Sequence, residues 1–195
     1  PKGTLLRNLL DGFVWELREA RGYDRVTIPH ITKKELYETS GHWQKFADQL
    51  FHITTREGHE FAMKPMNCPH HTQIYASKPR SYKDLPQRYA ETTTCYRDEQ
   101  TGELHGLSRV RAFSQDDAHV FCRMEQVKEE FLKIWDIVDT FYSTVGFKDL
   151  EVRLSLHDPD NFDKYLGTPE LWKKAEGSIR ELATDRGIEF VEDIG

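Results

Sequence analysis

The segment KPMNCPHH, Lys64 to His71, restricts the fold more than any other stretch. Pro65 and Pro69 each lack a backbone N–H and fix φ, so this segment cannot pass through a helix interior or a central strand. It predicts a rigid bend, followed by a short helix from His71 to Ser77. On that bend sit a thiol, Cys68, and two imidazoles, His70 and His71. A further histidine, His119, lies in the run QDDAH.

Around the bend, apolar spacing sets the other elements. Leu6, Leu10, Phe13 and Leu17 recur at helical spacing, widened by Leu5, Leu9 and Trp15, and predict a helix over 4–21 that stops at Gly22. RVTIP reads as a short strand ending at Pro29. Residues 33–47 read as helical up to Ser40-Gly41. QLFHI and HEFAM around TTREG read as a hairpin. Residues 90–97 and 110–121 read as strands joined through the polar loop TGELHG.

Val127, Phe131, Ile134, Trp135, Val138, Phe141 and Tyr142 place one apolar face on a helix over 125–145. LEVRLSL alternates as a half-buried strand does. Thr168-Pro169 forms an N-cap and N1 pair for a helix running to Gly187. IEFV begins another strand. Hairpins without regular strand–helix alternation predict an α+β fold with antiparallel pairing.

A chain of 195 residues, 37% hydrophobic, is long enough for one domain with a true core. No apolar run approaches the roughly 18 residues of a membrane span, and no signal-peptide pattern is present. The chain starts at Pro1 and stops inside the strand-like run FVEDIG, so we expect a piece of a longer polypeptide. Three widely spaced cysteines, Cys68, Cys95 and Cys122, argue against a disulfide framework and for a reducing, cytoplasmic setting. The net charge of −6 argues against a sequence-blind DNA coat. An excess of basic residues between 64 and 111 permits an anion site there, such as a nucleotide pocket or a local RNA contact.

Two groups of residues could carry chemistry. Cys68, His70, His71 and His119 are all possible zinc ligands, although no short CxxC or HExxH spacing exists. The competing readings are an inert buried thiol and a core histidine. In the second group, a hairpin would gather Arg97, Arg109 and Arg111, whose guanidinium groups can fork onto phosphate oxygens. Phe113 offers a flat face for a base, Glu99 could accept from an exocyclic amine, and Asp116 and Asp117 could pair with an ammonium. The competing reading is a charged hairpin with surface ion pairs, each worth little.

Taken together, these stretches resemble the class II aminoacyl-tRNA synthetases. RGYDRVTIP resembles motif 1, and CYRDE, TGELHG and LSRVRAF resemble motif 2. KPMNCPHH, FSQDDAHVFC and TSGHW narrow the resemblance to the threonyl-tRNA synthetase family, over essentially the whole chain. The implied fold is an antiparallel sheet flanked by helices. Residues 1–195 would be part of the aminoacylation domain, with motif 3 and the editing and anticodon-binding domains outside it.

The resemblance implies an activity, ATP-dependent activation of threonine and its transfer to threonine tRNA. It also implies zinc and magnesium as cofactors, and a homodimer through the motif 1 region. Cys68 and His119 match two of three zinc ligands, the third being a histidine past Gly195. Arg97 matches the arginine on the α-phosphate and the substrate carboxylate. Glu99 matches the residue at the adenine edge, Arg109 the γ-phosphate arginine, and Phe113 the ring that stacks on adenine. Met66, Gln115 and Asp117 match residues of the amino-acid pocket, with Asp117 taking the substrate hydroxyl. His70 stands where many members have glycine, and the bend is expected to tolerate it. The piece alone is expected to be inactive. Rival readings are another class II synthetase, such as the prolyl or seryl enzyme, a non-catalytic paralogue that binds RNA or protein, and a closed zinc-stabilised domain.

Overall fold

The structure, a computed structural model, describes all 195 residues. They form two units, residues 1–126 and 127–195.

The first unit opens with helix α1 (Lys2–Glu19). Gly22, at φ +75°, ends it, and the Tyr23 N–H returns to the Arg18 carbonyl at 3.2 Å. Val14 and Arg18 are buried on this helix, whereas Leu5, Leu6 and Leu9 are about 60% exposed. The apolar stripe was therefore correctly placed, but its first half faces solvent.

RVTIP contributes only Arg25 to a two-residue strand, β1 (Asp24–Arg25). The Val26 N–H still reaches the carbonyl of Ala90 at 3.0 Å. The Ile28 N–H is then diverted to the Glu91 carboxylate at 3.2 Å, and Pro29 has no N–H to give, so the ladder stops.

A small antiparallel sheet follows, with order β2 (Ile31–Lys33), β4 (Glu60–Met63), β3 (His52–Thr54). The last two strands form the expected hairpin. Between the first two lie α2 (Lys34–Thr39) and α3 (His42–Lys45), separated at Gly41, φ +77°. Tyr37, Leu50 and Ala62 form the core of this part, with Trp43 packed against it.

Helix α4 (Cys68–Ala76) begins three residues earlier than expected. Pro69 occupies its first turn, where a missing N–H costs nothing and the fixed φ suits a helix. The second proline thus starts the helix.

The central feature is the hairpin of β5 (Gln87–Tyr96) and β6 (Ala112–Phe121), paired antiparallel from Gln87↔Phe121 to Tyr96↔Ala112. β1 joins its outer edge in parallel.

The second unit contains α5 (Val127–Thr144), β7 (Val152–Leu156), α6 (Pro169–Asp185) and β8 (Phe190–Ile194). Thr168 caps α6, its hydroxyl accepting from the Leu171 N–H at 3.3 Å. β7 and β8 pair in parallel, because the intervening helix returns the second strand in the same direction. Antiparallel pairing therefore does not extend to this unit. On α5, Ile137 and Glu130 are buried, while Ile134 and Tyr142 stay exposed. The whole is an α+β architecture with an antiparallel hairpin sheet and flanking helices. No helix is long and apolar enough to cross a membrane.

Candidate metal and substrate site

In a strand, every second side chain points to the same face. Phe113, Gln115, Asp117 and His119 therefore share one face of β6. The register sets Cys95, Thr93, Glu91 and Tyr89 opposite them on β5. Asp116 points the other way, where it pairs with Arg18 of α1 and accepts from the Thr92 hydroxyl at 3.2 Å. The expectation that Asp116 faces a substrate ammonium is thus corrected.

The start of α4 meets this face. Cys68, Asp117 and His119 each direct a ligand atom into one spot, with all three atoms within 4.8 Å of one another. A thiol, an imidazole and a carboxylate make a donor set that suits zinc. Burial, with help from the Asp117 charge, pushes the Cys68 thiol upward from its ordinary value. It would thus be bound as thiolate only with a cation beside it.

His70 and His71, the other two candidate ligands, are engaged elsewhere. His70 is buried, and its Nε2 lies 2.6 Å from the Thr32 hydroxyl. Its ring meets Tyr37 edge-on. Its backbone is ordinary, since no residue other than glycine has positive φ, so nothing at this position demands glycine. His71 is fully buried, with its Nδ1 2.8 Å from Nδ1 of His119. Burial first, and the neighbouring His119 second, push His71 down to about 4.

Beneath the cluster runs a buried polar chain that residue spacing did not reveal. Lys64, with no exposed surface, donates to the Asn67 Oδ1 at 3.2 Å and to the Thr93 hydroxyl at 2.9 Å. Its Nζ also lies 3.8 Å from the Glu91 carboxylate. Asn67 Nδ2 in turn donates to Asp117 at 3.1 Å. Burial lowers Lys64 from its ordinary value against the opposing pull of Glu91. Met66 touches His42 of the TSGHW run, Sδ to Nε2 at 2.7 Å. The Gln115 Oε1 is buried without a hydrogen-bond partner.

The arginines gather at the turn of the hairpin. The Arg97 guanidinium lies over the Phe113 ring at 5.1 Å, and the Arg97 backbone N–H donates to the Arg111 carbonyl at 2.9 Å. Arg109 grips Glu99 through Nε at 3.0 Å and through its terminal nitrogen at 2.8 Å. This hydrogen-bonded pairing holds Glu99 below the usual carboxylate range. Arg111 Nε donates to the Glu99 carbonyl at 2.9 Å. Residues that sequence reasoning assigned to ATP thus occupy one neighbourhood, and two of them are paired to each other.

Comparison with known proteins identifies the family. Residues 51–191 match the model of the tRNA synthetase class II core domain (G, H, P, S and T). The chain belongs to that family of class II synthetase core domains. More particularly, it is 53% identical to the threonine–tRNA ligase of Cytophaga hutchinsonii and 50% identical to that of Flavobacterium johnsoniae, in each case over 100% of this chain. It spans about 30% of the length of these curated relatives. The crystal structure of the RNA binding domain of threonyl-tRNA synthetase from Cryptosporidium parvum superposes with a TM-score of 0.89 at 35% identity, over 99% of this chain and 47% of that one. The Giardia lamblia prolyl-tRNA synthetase in complex with prolyl-adenylate superposes at 0.67 and 23% identity, over 74% of this chain and 30% of the other, a likeness of fold alone.

Proposed function

We propose that the chain is part of the aminoacylation domain of a threonine–tRNA ligase, which activates threonine with ATP and transfers it to threonine tRNA. The observation that carries this reading is the convergence of Cys68, Asp117 and His119 on one spot of the face that also bears Gln115 and Phe113.

Cys68 and His119 would hold zinc, with a histidine from outside these residues as third protein ligand. With an open coordination position, that ion would supply recognition of the substrate amine and hydroxyl together. Asp117, held by Asn67, would accept the threonine hydroxyl proton in a hydrogen bond. Gln115 and Met66 would line the remainder of the amino-acid pocket. Valine is nearly isosteric with threonine, and a hydrophobic pocket separates such pairs poorly. A site built to bind a hydroxyl rejects the analogue lacking it by about 10⁴ to 10⁵.

The activation step joins two anions, a carboxylate and an α-phosphate. Arg97 would neutralise both and hold them in line, the kind of preorganised charge that dominates such catalysis. Phe113 would stack on adenine and Glu99 would accept from its amine. Arg109 would hold the γ-phosphate, with magnesium sharing the charge of the departing pyrophosphate. Arg109 is tied to Glu99, so a γ-phosphate held by Arg109 would compete with that pair. Arg109 is half exposed, which leaves it room to turn.

The exposed leucines of α1 support a homodimer through the motif 1 region. The three free thiols fit a cytoplasmic setting. The 195 residues alone are proposed to be inactive, since they span about 30% of the length of the curated relatives.

The test is threonine-dependent pyrophosphate exchange by the whole enzyme that carries this chain. Cys68→Ala should remove zinc and exchange together. Normal exchange in that variant would overturn the assignment, and a panel with proline, serine and valine would show whether another amino acid is the substrate.

A further inference from the structure

His71 takes no part in the donor cluster, yet it is the closest polar neighbour that the structure gives His119. The two rings meet at 89° with their centroids 4.8 Å apart, and their Nδ1 atoms are 2.8 Å apart. A nitrogen–nitrogen contact of that length needs one hydrogen between the two atoms, carried by one ring and accepted by the other. His71 cannot easily turn away. It sits in the first turn of α4, where its N–H donates to the Asn67 carbonyl at 3.1 Å, and it has no exposed surface. Its ring also meets Tyr89 edge-on at 6.5 Å, and Tyr89 is the residue paired with His119 across the hairpin. His71 thus packs against both members of that cross-strand pair.

We propose that His71 is a positioning residue: its Nδ1 accepts the Nδ1 proton of His119 and thereby fixes that ring with Nε2 as the nitrogen offered to a metal. A metal-bound imidazole needs a lone pair on one nitrogen and donates from the other, and the group that receives that proton sets both tautomer and ring orientation. In this arrangement His71 keeps its own proton on Nε2, a buried atom without a partner. The consequence for metal binding rests on the reading of His119 as a ligand, but the brace between the rings does not.

Two measurements on the whole enzyme that carries this chain separate these points. In the first, ¹⁵N-labelled histidine is used to detect a through-hydrogen-bond nitrogen–nitrogen coupling between the two Nδ1 atoms, without metal. The coupling is expected, and its absence overturns the brace whatever the metal does. In the second, zinc is titrated against a chromophoric chelator. His71→Phe, which keeps a buried ring but cannot accept the proton, should weaken zinc binding by about tenfold to a hundredfold. His71→Gln, whose carbonyl can accept it, should recover most of that loss. Equal affinity in all three proteins, or a Gln variant no better than the Phe variant, overturns the positioning role. If the unaltered enzyme binds no zinc while the coupling is present, the metal reading fails and the brace stands as a structural contact. Should His71→Phe fail to fold, the coupling measurement and the His71→Gln titration still decide the matter.

Discussion

Asn67 donates to the Asp117 carboxylate at 3.1 Å while its own carbonyl oxygen accepts from Lys64 at 3.2 Å. Lys64 can only donate, so it fixes which end of the amide faces it and leaves the NH₂ end for Asp117. The amide is thus oriented from behind, and the carboxylate in front of it is held in one direction. A hydrogen bond to a charged group is worth about 1.5–3 kcal/mol. In the whole enzyme, Asn67→Ala should therefore raise KM for threonine by about tenfold to a hundredfold and leave KM for ATP nearly unchanged. Equal changes for both substrates in steady-state exchange would contradict this role.

Lys64 itself has no exposed surface, and its counter-charge, Glu91, is buried too. Removing one member of a buried pair leaves the other charge unanswered, at a cost of about 3–5 kcal/mol. Lys64→Ala should destabilise the chain by that order in urea unfolding. The double variant Lys64→Ala with Glu91→Gln should recover part of the loss. No recovery would mean that the lysine acts through Asn67 and Thr93 alone.

His70 occupies a position where the family resemblance leads one to expect glycine. Its bond to Thr32 and its contact with Tyr37 show how a large side chain is accommodated there. His70→Gly should lower stability by about 2 kcal/mol. A few tenths of a kcal/mol come from the helix penalty of glycine relative to histidine, and the rest from the lost hydrogen bond and ring contact. Zinc affinity should be unchanged. Thermal unfolding and chelator competition check the two parts separately.

The hairpin was legible in sequence because its signals are local. Residues 90–97 and 110–121 read as strands, and the polar loop between them marks the turn. The two-residue period of a strand then sets Phe113, Gln115, Asp117 and His119 on one face. What stayed hidden depended on partners distant in sequence. Nothing in the spelling of KPMN says that Lys64 and Asn67 are buried, because their burial is bearable only with Glu91, Thr93 and Asp117 in place. Pro69 reads as a breaker and acts as a helix start. The apolar stripe of α1 reads as core, but spacing alone cannot tell a core face from one left open in a single chain. The parallel pairing of β7 with β8 follows from α6 crossing between them, whereas the hairpin signals earlier in the chain point to antiparallel neighbours.

In the second unit, Glu176 accepts from both the backbone N–H and the ring Nδ1 of His157, at 2.7 Å each. Burial pushes this carboxyl upward, but the two bonds outweigh it and hold it below its ordinary 4.5. A carboxyl depressed in the folded state stabilises above its unfolded value and loses that contribution as pH falls through the folded one. Stability should therefore drop as pH falls below about 4.5. Glu176→Gln should lower stability at neutral pH and flatten that acid limb. An unchanged slope in urea titrations between neutral and acid pH would contradict the assignment.

The most direct test of the central claim is X-ray absorption at the zinc edge on the whole enzyme carrying this chain, with and without threonine. The account predicts one sulfur at about 2.3 Å, lost in Cys68→Ala, and a first coordination shell that changes when threonine is added. A metal-free enzyme, a shell without sulfur, or a closed four-ligand shell indifferent to threonine would contradict it.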